Sequence, residues 1–128
     1  MSESANQFLI DCPVTACEPG STLEGTAYWD LTEPPEVVYI RTVWWTEGRG
    51  DRDEAIIDLK EWTTGSTVGK EAFRVTLPDW PCSFSGKLIS LCWGIVLEAQ
   101  RGDVPPVVHR LTVGPGGRET ILHTEVES

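Results

Sequence analysis

Four cysteines, two histidines and one knot of acidic residues are the groups in this chain whose chemistry could go beyond packing. Structural zinc sites hold cysteines in short, paired spacings. Here Cys12 and Cys17 are separated by four residues and Cys82 and Cys92 by nine, so Cys12, Cys17 and the loop residue Cys82 make a poor zinc set. A Cys12–Cys17 disulfide would need an oxidising compartment, and free thiols are the default without a secretory leader. An inter-sheet disulfide of immunoglobulin type fails on parity, because Cys92 alternates with Trp93 and shares the side of Ser90 and Glu98. His109 alternates onto the side of Val107, Leu111 and Val113, and His123 lies between Leu122 and Thr124. A general base must sit within hydrogen-bond reach of its nucleophile. Nothing in the sequence brings either histidine to a cysteine. The reading is a protein without catalytic residues, metal or cofactor.

The acidic knot is "GRGDRDEA", residues 48–55, where Asp51, Asp53 and Glu54 are interleaved with Arg49 and Arg52. Calcium needs more oxygens than these, and the order of an EF-hand loop is missing. Mutual neutralisation on a hairpin tip is the better account. Arg-Gly-Asp occurs at 49–51 and again at 101–103. Both copies read as turn chemistry, since Gly-Asp suits tight turns.

Net charge narrows the partners. A formal charge of −10 and a pI near 4.5 set the surface against nucleic-acid phosphates and anionic lipid. The ten Lys and Arg are scattered, with no basic patch. No apolar run approaches the roughly 20 residues that cross a bilayer. With no basic start or apolar run at the N-terminus, the expected location is the cytoplasm.

The elements that position these residues follow a period of two. In "LISLCWGIVLE", residues 88–98, Ile89, Leu91, Trp93, Ile95 and Leu97 fall on one side, as in a strand with one buried face. Residues 23–31 give Leu23, Gly25, Ala27, Trp29 and Leu31. Residues 54–62 group Ala55, Ile57 and Leu59 against Asp58 and Lys60, and 71–77 group Phe73, Val75 and Leu77. Short alternating runs lie at 7–12, 106–113 and 119–126, and a longer one at 36–47. Gly- and Pro-rich turns separate them. No stretch carries a helical stripe. The chain reads as one all-β domain over 1–128, an antiparallel sandwich of about seven or eight strands, with 1–6 as a flexible lead.

The run "RTVWWTEGRGD", 41–51, sets a problem of its own. Successive side chains of a strand point to opposite faces, so Trp44 and Trp45 cannot share a core unless a bulge intervenes. If Arg41 marks the outer side, Trp44 is the inner ring and Trp45 the outer. An outer ring can be covered by a terminal segment or a long neighbour such as Arg41, meet a partner, or form a platform for a ligand.

Three segments carry a family resemblance: "CEPGSTLEGTAYWDL" (17–31), "IRTVWWTEGRGD" (40–51) and "FRVTLPDWPCSFSGKLISLCWGIVLEA" (73–99). The last, with Phe73, Leu77, Pro78, Pro81, Ser83, Phe84 and Gly86, resembles the run before the long strand of arrestin-type domains. The resemblance covers about residues 8–113 and is built of turn and core residues. It implies an immunoglobulin-like sandwich of arrestin type in a single-domain, bacterial-style version. The tandem domains, buried charge cluster and basic phosphate sensor of classical arrestins have no counterpart here. What the resemblance implies is an adaptor or scaffold. The expected function is therefore a non-enzymatic protein-interaction module, with Trp45 and Arg41 as its surface. Its partner would be another protein, or a second copy through a sheet edge. A carbohydrate- or small-ligand module using an exposed tryptophan is the alternative.

Overall fold

The computed structural model describes residues 6–50, 52–63, 65–86, 88–100 and 104–121. Residues 1–5 of the expected 1–6 lead, His123, Asp51 and the second Arg-Gly-Asp lie outside the described residues. Among the described residues ten strands run in order: β1 (Gln7–Asp11), β2 (Ala16–Cys17), β3 (Thr22–Asp30), β4 (Val37–Gly48), β5 (Glu54–Thr63), β6 (Val68–Thr76), β7 (Phe84–Ser85), β8 (Ile89–Ala99), β9 (Val107–Val113) and β10 (Thr120–Ile121). Among the described residues the only helical piece is a 3-10 turn, Pro115–Gly117. The eight alternating runs all become strands, though only the start of the last lies within the described residues. β2 and β7 are two residues each, too short for alternation to show.

Two sheets face each other. The smaller is β1-β3-β6, antiparallel throughout. The larger is ordered β10-β7-β8-β4-β5, with β9 antiparallel to β8 and β2 parallel to β9. Side-chain parity then dictates the core. Leu23, Ala27 and Trp29 of β3 and Phe73 and Val75 of β6 turn inward to meet Val38 and Ile40 of β4, Trp93, Ile95 and Leu97 of β8, and Leu111 of β9. Each large apolar side chain so buried contributes about 1.5–3 kcal/mol.

Glycines opposite large rings make that packing feasible. Gly69 pairs with Trp29 across β6 and β3, and a Cβ on it would lie 2.0 Å from the Trp29 ring. Four residues along, Gly25 pairs with Phe73, and its Cβ would meet that ring at 2.6 Å. The space so opened lets Trp29 stack on Trp62 of β5, centroids 6.1 Å apart, which ties the sheets together.

One expected grouping is corrected. Ala55 and Ile57 turn inward, but Leu59 does not: it is exposed, as is Ile56. Thr42 pairs with Asp58 and Val43 with Ile56, so Ile57 is an extra residue, a bulge that reverses the parity of β5. Beyond it Lys60 and Trp62 take the inner side, and Leu59 moves to the outer one.

The segment 77–86 closes one end of the sandwich. Buried Leu77 donates its N–H to Ser21 O, and Gly20 donates to Pro78 O. Trp93, fully buried, donates from Nε1 to Pro81 O at 2.9 Å. Ser83 donates its N–H to Val113 O and accepts from Val113 N–H at Oγ. Phe84, in β7, packs on the core beside this latch.

Because the Gly69 gap is filled by Trp29, Gly69→Ala should lower unfolding free energy by about 1–3 kcal/mol in urea titration, the usual cost of overpacking. Gly65→Ala, where an added Cβ meets nothing within 4 Å, should stay within about 0.5 kcal/mol of wild type.

Candidate functional site

The outer face of the larger sheet is built from β5, β4, β8 and β9. In one row across it stand Leu59, Arg41, Val96 and Val108; in the next stand Ile56, Val43, Gly94 and Arg110. Glu54, Trp45 and Cys92 form the third. Parity places Trp44 inward, against the core, and Trp45 outward. The two rings thus divide as Arg41 predicts, and the bulge lies in β5 rather than between them.

Trp45 points away from the core, yet only 8% of its surface is exposed. Gly94 leaves room for it, since a Cβ there would lie 3.1 Å from the ring. Two guanidinium groups cover what remains. The Cζ of Arg110 lies 5.0 Å from the ring centroid and that of Arg52 lies 5.9 Å away. Such contacts contribute about 0.5–2 kcal/mol, more as water is excluded. The long neighbours over Trp45 are therefore Arg52 and Arg110. Arg41 turns aside: its Nε and one terminal nitrogen hold Glu98 Oε2 at 2.9 and 2.8 Å.

The ring's polar edge is also engaged. Trp45 Nε1 donates to Glu47 Oε2 at 2.8 Å, and Arg110 approaches the same oxygen at 3.7 Å. Arg110 donates from its other terminal nitrogen to Cys92 Sγ at 3.5 Å. The bond from Trp45 holds the Glu47 carboxyl below its usual range, with the charges of Arg110 and Arg52 adding to it. Burial, then the negative charge of Glu47, pushes the Cys92 thiol up. Beside the cluster, Arg41, Val43, Trp45, Val96 and Val108 line a recess of about 250 Å³. Ile56, Leu59 and Val108 stand exposed around it at 53%, 47% and 46%.

The other candidates are placed elsewhere. All four cysteines are free. Among the described residues no three of His, Cys, Asp and Glu gather as metal ligands. Cys17 has its thiol pushed up by burial and by Cys12, the reverse of a nucleophile's requirement. The structure does bring one histidine to a cysteine, a proximity that no local pattern foretells. His109 Nε2 and Cys12 Sγ both meet the Val14 carbonyl, at 2.8 and 3.6 Å. A carbonyl only accepts, so that nitrogen carries a proton and the pair is joined through an acceptor, not as base and nucleophile. A larger, shallower groove crosses Asp11, Glu24, Lys60 and Arg74. Its charges are matched: Arg74 meets Glu24 at 3.5 Å and Lys60 meets Asp58 at 3.8 Å.

A sandwich of these two sheets, with the proline-bearing latch before the long strand β8, has an arrestin-like fold. A search of solved structures matches Spo0M, a sporulation control protein from Bacillus subtilis, with a TM-score of 0.57 and 17% identity. The match covers 85% of this chain and 49% of Spo0M, so the chain spans about half the length of that protein. A β-glucosidase from Listeria innocua also matches, with a TM-score of 0.48 and 10% identity, over 95% of this chain and 17% of the enzyme. No family model matches the sequence, and no curated protein does.

Trp45 is the first cause of the Glu47 shift, so Trp45→Phe should raise the Glu47 pKa, and by more than Arg52→Gln does. Carbon-detected NMR titration of the side-chain carboxyl reads both. Since the folded value is depressed, the contribution of Glu47 to stability is present above the ordinary carboxylate pKa and lost as pH falls through the depressed one.

Proposed function

We propose that this chain is a non-enzymatic protein-interaction module, an adaptor, that binds through the outer face of β5, β4, β8 and β9, with Trp45 and Arg41 within that surface. The observation that carries the reading is the exposed trio Ile56, Leu59 and Val108, standing around buried Val43 and Val96 and bounded by arginines and glutamates. Interfaces share that composition: an apolar centre, an aromatic and arginines, inside a polar rim. The arrestin-like fold is compatible with it, although a fold alone hosts many functions. The four free thiols suit a reducing compartment, which supports the cytoplasm.

The face has more support than the sheet edges. Edge strands that avoid pairing carry bulges and inward-pointing charges. β5 has its bulge at Ile57 and turns Lys60 inward. β6 has Glu71 opposite buried Ala27, on its inward side. The carbohydrate alternative gains nothing from Trp45, whose ring is roofed by guanidinium groups. The exposed ring is Trp80, at 74%, on the loop before Pro81.

A photo-crosslinking residue at position 59 or 108 should yield adducts with a partner protein in extracts of the source cells. One at position 9 or 68, on exposed Leu9 and Val68 of the smaller sheet, should not. Equal adducts at both faces, or none at 59 and 108, would overturn the reading. In acrylamide quenching, Trp80→Phe should remove most of the accessible fluorescence. A large accessible remainder from Trp45 would revive the platform.

A further inference from the structure

We infer that the occupant of this face is a second copy of the chain, packed face to face about a two-fold axis between β4 and β8. The inference rests on the reading of the face as a docking surface, and adds the identity of the partner.

Charge is the first argument. Two copies of a chain with net charge −10 repel one another over most of their surface. The outer face is less charged: Arg41, Arg52 and Arg110 stand against Glu47, Glu54, Glu61, Glu98 and, beside Cys92 and Arg110, Glu119, a net of −2 out of the chain's −10. It is where a like-charged copy can approach.

Register is the second. A two-fold axis running along the strands, midway between β4 and β8, sets β5 over the partner's β9 and β4 over its β8, row on row. Leu59 then comes over Val108 of the other copy, and the buried Val43 over Gly94, where the Trp45 ring and Val108 fill the space of the missing side chain and keep that row low. Arg110 falls over Ile56 beside Glu54, a carboxylate that within its own chain is held only loosely, 3.6 Å from Arg52. Arg41 falls over Val96, next to Glu98. The projecting Leu59 meets the projecting Val108, and each arginine meets an apolar neighbour with a glutamate beside it. An isologous interface needs that self-complementarity, in which residue i touches j and j touches i. Four strands about 4.8 Å apart and some four rows of side chains give roughly 400–500 Å² of face per copy. That is at the low end for specific association, so the dimer should form and separate at micromolar concentration.

Sedimentation equilibrium of the full chain over about 5–500 μM tests this. The mass should rise from 14.2 kDa toward twice that value. Leu59→Asp alone and Val108→Arg alone should each stay monomeric, with unchanged circular dichroism, since both positions are exposed. Mixing the two variants should restore a dimer, because one of its two Leu59–Val108 contacts becomes an ion pair and the other is native. A constant monomer mass for wild type would overturn the inference. So would association that neither substitution weakens, or a mixture that stays monomeric. Crosslinks from 59 and 108 to another protein, with wild type monomeric, would end this inference and leave the adaptor reading standing.

Discussion

Three large rings of this sandwich lie against strand positions that leave out a side chain. Trp29 lies over Gly69 and Phe73 over Gly25 in the core, and Trp45 lies over Gly94 on the outer face. A Cβ at the first two would fall within 2.6 Å of ring atoms, closer than packing permits. Without the gaps the rings would stand off and the two sheets could not reach their usual separation of about 10 Å. The Trp29–Trp62 stack and the burial of Phe73 both follow from them. So does the flatness of the outer face, since a Trp45 ring pushed outward by a side chain at Gly94 would break the surface that Val43, Val96 and Val108 share.

Most of the fold was legible because it rests on parity, and parity is written residue by residue. Ile89 through Leu97, Leu23 through Leu31, and Phe73 through Leu77 all face as alternation requires. Residues 54–62 were misread because a bulge changes parity without changing composition. Ile57 looks like any strand isoleucine, and only its pairing with β4 shows it to be supernumerary. β2 and β7 were invisible for a related reason: two residues have no period.

The site was legible in half. Arg41 correctly marked the outer side of β4 and so sorted the tryptophans. What covers Trp45 comes from elsewhere, Arg110 from β9 and Arg52 from the turn before β5, about 65 and 7 residues along the chain. No local pattern links them. A sequence signal did exist in Gly94, a glycine inside an otherwise apolar strand, which marks a close approach by some neighbour.

The arginine cover has a consequence for how such a surface recognises anything. A bare outer tryptophan would be an indiscriminate greasy patch on a strongly acidic protein. Laid under Arg52 and Arg110 and tied to Glu47, the same ring is almost wholly covered, and the surface presents the guanidinium groups it holds in place. Fixed charges cost less ordering on contact than free arginine side chains. They also reject any partner whose own charges fall out of register. In the proposed interface the exposed aliphatic residues Ile56, Leu59 and Val108 would supply adhesion, and the arginines held on the ring would supply selectivity. The ring that alternation sends outward thus becomes the rigid floor on which the specific part of the surface is built.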